Sequence, residues 1–153
     1  MFRNQHESHL ERGAAAVEMA LVLPLLLLVL FGLIDFGRAF NAQMQLTQAA
    51  REGVRVVALG GFANSAAALD AAQTRAQLAM PASGGSTAPT VDRLSPASNW
   101  CTTGTVTGKV TVHSTFTFLT PLGPIARVFG ASSLPGAGDV KVLSAEGVMR
   151  CKG

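Results

Sequence analysis

The strongest pattern along the chain is one apolar run. Between Ala14 and Ile34 only Glu18 is charged, and the centre reads Leu21-Val22-Leu23-Pro24-Leu25-Leu26-Leu27-Leu28-Val29-Leu30. As a helix, these 21 residues extend about 31 Å. The hydrocarbon core of a bilayer is about 30 Å thick. The uncharged part alone, Met19 to Ile34, extends only about 24 Å, so a full span needs the turn around Glu18. Past Ile34, Phe36, Phe40, Met44, Thr47, Val54 and Ala58 recur at helical steps, which predicts a helix running to Leu59. Gly60-Gly61 then supplies a stop signal. The alternative is a short loop near Gly37 that separates an anchor from a surface helix.

After Gly61 the pattern changes twice. Asn64 to Met80 is Ala-rich, with Asn64 or Ser65 available as N-cap and Pro81 following, and this predicts a second helix. Pro81 to Thr90 is rich in Pro, Gly, Ser and Thr and is expected to be a linker. The period then becomes two. Val106, Val110, Val112, Phe116 and Phe118 share one face; Thr105, Thr107, Lys109, Thr111, His113, Thr115 and Thr117 share the other. That alternation predicts a half-buried strand, ended by Pro121 and Pro124. Val140 to Cys151 and the shorter Val91 to Leu94 are further strand candidates. The expected class is α+β: a long N-terminal helix, a short helix and a small antiparallel sheet.

Composition sharpens this picture. The chain is 48% hydrophobic and only 14% charged, against roughly 25% charged for an average soluble domain. Such values exclude a disordered chain. Two cysteines are too few for a disulfide-dense scaffold. The net charge is +3, but no basic run interleaves with aromatics, so no nucleic-acid partner is expected.

Three readings of the apolar run compete: a cleaved signal peptide with Gly37 and Ala39 at its end, an uncleaved anchor, and a segment cut on its N-terminal side. A helix that continues past Ile34 favours the last two, because signal peptides end with their apolar stretch. Flanking charge is neutral on orientation or slightly against an inside N-terminus. Arg3 and Arg12 stand beside Glu7 and Glu11, whereas Arg38, Arg51 and Arg55 follow the run.

The segment Arg12-Gly13-Ala14-Ala15-Ala16-Val17-Glu18-Met19 resembles the TadE-like family, minor pilins (pseudopilins) of tight-adherence, or Flp, pili. Ile34-Asp35-Phe36-Gly37-Arg38-Ala39-Phe40, Ala49-Ala50-Arg51-Glu52-Gly53-Val54-Arg55 and Ser144-Ala145-Glu146-Gly147-Val148-Met149-Arg150 resemble it too. Met19 departs from the family, where an aromatic is common. The resemblance implies a leader over 1–13, a transmembrane helix over 14–36 and a periplasmic pilin-like domain over 37–153. It also implies cleavage after Gly13 by a prepilin peptidase, with Ala14 as the new terminus and other pilins and pseudopilins as partners. The expected location is the bacterial inner membrane, single-pass, with incorporation into the pilus open.

Glu18 has its own physical argument. A bare acid at membrane depth costs about 2.5–3.5 kcal/mol on insertion scales. The amine freed at Ala14 would lie one helical turn away, at i and i+4, and neutralise it. Pro24 lacks an N–H and leaves the Ala20 carbonyl without its helical donor, so a kink is expected there.

Cys101 and Cys151 each adjoin a predicted strand, and an oxidising compartment would join them; two unpaired thiols are the alternative. Two cysteines 50 residues apart lack the clustered spacing of a zinc module, so no metal is expected. His6 and His9 lie in the leader, and His113 has no nucleophile or acid partner recognisable from spacing. No phosphate-binding loop or nucleophile elbow occurs. The expectation is a protein without enzymatic activity or cofactor, a substrate of the peptidase. The competing function is an uncleaved envelope protein that binds a partner through its periplasmic body.

Overall fold

The computed structural model describes residues 7–95, 107–120, 127, 130, 136 and 138–151. Helix α1 spans Glu7–Ala58, 52 residues with Pro24 inside it, and is about 78 Å long. It passes Gly37 without a break, so the anchor and the amphipathic half are one element. Helix α2 spans Ser65–Ala79. Asn64 caps it as the sequence predicts, its side-chain oxygen accepting the N–H of Ala67 at 2.9 Å. Strands β1 (Thr90–Ser95), β2 (Thr107–Thr117) and β3 (Val140–Arg150) form an antiparallel sheet in the order β1-β2-β3. Val106, Pro121 and Pro124 lie outside the described residues.

The two halves of α1 meet different surroundings. From Gly13 to Ile34 no residue is buried. From Asp35 onward, one face is covered by the rest of the chain. Leu46, Ala49, Ala50, Val54 and Val57 meet Ala68, Ala72 and Ala76 of α2 and Val110, Val112 and Phe116 of β2 in one core. The alternation in β2 falls as expected, with Val110, Val112, Ser114, Phe116 and Phe118 inward. Phe116 and Phe118 pack edge to face, their ring centres 5.3 Å apart.

The α1 stripe matches the expected one only toward its end. Val54 and Ala58 are buried, but Phe36, Phe40 and Met44 are exposed, and Ala42, Leu46, Ala49 and Ala50 face inward instead. The reason is close approach. A Cβ on Gly147 of β3 would lie 2.4 Å from the Ala50 carbonyl oxygen, and one on Gly53 would lie 3.4 Å from that of Ala72. Backbones this near leave room only for glycine at 147 and little more at 53, and the helix face turned toward β3 carries Ala49 and Ala50 between Leu46 and Val54.

Residues 81–89 are docked rather than a free linker. Thr117 N–H donates to the Gly85 carbonyl at 2.9 Å, Thr87 N–H to the Thr115 carbonyl at 2.9 Å, and Ser114 Oγ to the Thr87 carbonyl at 2.7 Å. Hydroxyls and backbone continue the ladder where β1 has not yet begun, and Ser86 and Pro89 are buried. Both sheet edges receive glutamine amides. Gln73 of α2 accepts the Val91 N–H at 2.6 Å and donates to the Pro89 carbonyl at 2.8 Å. Gln43 of α1 donates to the Ser144 carbonyl at 2.9 Å. Occupied edge groups discourage unwanted strand addition.

Candidate functional site

Gly13, Ala14 and Glu18 lie on one uninterrupted stretch of α1 and are all exposed. Helical spacing puts Ala14 and Glu18 on the same face, one turn apart. No atom lies within 4 Å of where a Cβ on Gly13 would stand, as is also true at Gly32 and Gly37. Packing among the described residues therefore gives no reason for glycine at 13, although glycine inside a helix costs roughly 0.5–1 kcal/mol relative to alanine. Among the side chains described, from Gly13 onward, no cation lies within ion-pair distance of Glu18. Pro24 is exposed within the helix.

The second constellation sits where the bare half of α1 ends. Asp35 is completely buried. Its carboxylate accepts the Thr120 N–H at 2.9 Å, the Leu119 N–H at 3.4 Å, the Thr120 hydroxyl, and Arg38 Nη1 at 2.8 Å. Arg38 turns its other nitrogen to the Gly84 carbonyl at 2.6 Å, and its guanidinium carbon stands 5.4 Å from the centre of the Phe116 ring. One acid and one base on adjacent turns thus hold the exit of β2 and the 81–89 segment against the helix. Gly85 closes the arrangement at φ +90°, where a Cβ would meet Arg38 Nη2 at 2.6 Å. A polar cleft of about 60 Å³ opens beside it, lined by Arg38, Asn41, Gln45, Ser83 and Ser86. The larger concavity, about 440 Å³, is only the surface of the bare helix along Val22, Leu26, Val29 and Leu33.

A family model described as TadE-like protein matches residues 13–55. The similarity covers the membrane-length helix and its continuation and leaves residues 56–153 outside it. No curated protein and no solved structure matches the chain. The TadE-like segment opens at Gly13 and holds the whole bare helix, the Asp35–Arg38 pair and the small core-facing residues up to Val54. Helix α1 is long and apolar enough to cross a membrane, and is the one such helix among the described residues. The chain thus joins a long apolar N-terminal helix, similar to TadE-like proteins over residues 13–55, to an α+β body.

Sequence spacing brings Gly13, Ala14 and Glu18 together, and the helix preserves that. It gives no hint that Asp35 and Arg38 form the junction, because their partners lie 85 and 46 residues away. The available signal was a lone Asp just past an apolar run, one turn before an Arg. Cys151 directly follows β3 and is buried, whereas Cys101 lies outside the described residues. His113 stands 3.2 Å from Asp92, an acid neighbour that spacing alone did not reveal.

Proposed function

We propose that this chain is a minor pilin of tight-adherence pilus assembly, cut after Gly13 by a prepilin peptidase and anchored in the inner membrane by α1 with its body in the periplasm. The observation that carries this reading is the TadE-like match over residues 13–55, which opens at the glycine of the expected cut. The exposed Gly13, unexplained by any packing, supports the same reading: the peptidase, not the fold, requires it. Catalysis belongs to the peptidase and this chain is its substrate. Glu18 then pairs with the amine of Ala14 or with that of a neighbouring pilin. The Cys101–Cys151 disulfide closes the exported body.

The uncleaved envelope protein remains the second reading, since an intact helix also anchors the body. An ordinary signal peptide cut before Phe40 is disfavoured by the fold. That cut would remove Asp35 and Arg38, which hold Thr120 and Gly84. Mass spectrometry of the N-terminal peptide from membrane-purified protein separates the readings. A peptide beginning at Ala14 is expected. An intact Met1 in cells with active prepilin peptidase would refute processing, and a start at Phe40 would reveal a signal peptide.

A further inference from the structure

The height of the body along α1 follows from its contacts. Gln43 touches Ser144, and Ala50 approaches Gly147. Seven helical residues rise about 10.5 Å and three strand residues about 10 Å, so β3 runs alongside α1 in the same direction. Counting back from Gln43, Asp35 lies about 12 Å lower on the helix. Counting back from Ser144, Val140 lies about 13 Å lower on the strand. Val140 therefore stands level with Asp35. Leu119 stands there too, because its N–H reaches the Asp35 carboxylate, and Phe118 N–H donates to the Asp139 carbonyl at 3.2 Å.

This level is also where the apolar span ends. Ala14 to Ile34 fills about 31 Å, the thickness of a bilayer core. At that height the body presents Leu119, 72% exposed, and Val140, 61% exposed, while the helix adds Phe36, 54% exposed. Thr117, the partner of Val140, and Lys141 stand at or above this level, and exposed Asp139 adjoins Val140 at the lower end of the strand. Among the described residues, Leu119, Val140 and Phe36 thus form an apolar collar at the level where the apolar span ends. An exposed apolar patch that continues a lipid-facing surface fits lipid.

We infer that the body is seated in the bilayer interface, with Leu119, Val140 and Phe36 as a second lipid contact beside the spanning helix. This rests on α1 crossing the membrane. The Asp35–Arg38 junction fixes the angle between body and helix, so the collar meets the surface as a rigid rim.

The test uses the full chain in liposomes. Trp100, the single tryptophan, is replaced by Phe, and one tryptophan is introduced at Leu119, Val140, Leu30 or Leu59. Quenching by phospholipids brominated at different acyl depths is then measured. Leu59 lies about 36 Å above Asp35 and serves as the distant control. Trp at 119 and 140 is expected to be quenched at least half as strongly as Trp at 30, and most by the shallowest bromine, with none at 59. Trp at 119 and 140 behaving like Trp at 59, while Trp at 30 is quenched, would overturn the collar and leave the anchor intact. No quenching at 30 would overturn the membrane reading itself. Trp at 119 shielded from both bromolipid and aqueous iodide would overturn the collar in favour of a protein contact. The four sites are all exposed, and unchanged circular dichroism confirms folding of each variant.

Discussion

Replacing Gly147 with alanine tests the packing that sets the whole architecture. A Cβ there would lie 2.4 Å from the Ala50 carbonyl oxygen, 2.7 Å from its carbon and 3.0 Å from Val54 Cγ1. Ordinary contact begins near 3.4 Å, so α1 and β3 must separate by nearly an ångström. The obstacle is helix backbone, which has no rotamer to change. Overpacking a well-filled site costs about 1–3 kcal/mol. Loss of glycine's freedom in the unfolded chain offsets about 0.4–1 kcal/mol of this. A net loss of about 1.3 kcal/mol lowers the melting temperature of a body this size by roughly 5 °C. The assay is thermal unfolding of the full chain in detergent, followed by circular dichroism. Gly37→Ala, where nothing lies within 4 Å, is the matched control and should melt with the parent or slightly above it. Adding Val54→Ala to Gly147→Ala should not restore stability, since the nearer obstacle is Ala50 backbone. A Gly147→Ala protein that melts with the parent, or complete rescue by Val54→Ala, would refute the backbone-contact argument.

Three further outcomes are expected. Asp35→Ala strands the Leu119 and Thr120 N–H groups and should cost about 2–4 kcal/mol, while Asp35→Asn, which keeps an acceptor, should cost less; equal melting of both variants would show that the carboxylate charge, not acceptor capacity, holds the junction. Glu18→Ala should reach the membrane yet lose co-purification with partner pilins, and unchanged co-purification and piliation would count against charge pairing. Thiol labelling of exported, denatured, unreduced protein should find no free cysteine, and two labelled thiols would exclude the disulfide.

The elements of the fold are legible wherever one local rule acts over many residues. The alternation from Thr107 to Thr117 gives β2 its inward and outward faces, and a cap at Asn64 with Pro81 beyond gives α2 its limits. The bare helix is legible from composition alone, since an apolar run of that length has no polar face to choose between. The segment 81–89 shows where such reasoning fails. Gly, Ser and Pro read as a linker, but the Thr87 and Ser114 hydroxyls, 27 residues apart on the chain, meet β2 backbone and the docked loop.

What the sequence by itself determined is the order and type of the elements and the Gly13–Ala14–Glu18 grouping, because each depends on spacings within a few turns. Only the tertiary structure decided which face of α1 is covered. Periodicity marks Phe36, Phe40, Met44, Thr47, Val54 and Ala58 as one stripe, yet only Val54 and Ala58 of it are buried, because the close approach of Ala50 to Gly147 turns the face of Ala42, Leu46, Ala49 and Ala50 inward. Asp35 likewise looks like a charge misplaced at the end of an apolar helix until Thr120, 85 residues later, folds back to it. A buried carboxylate is stable only when donors surround it, and those donors come from parts of the chain that no local pattern connects.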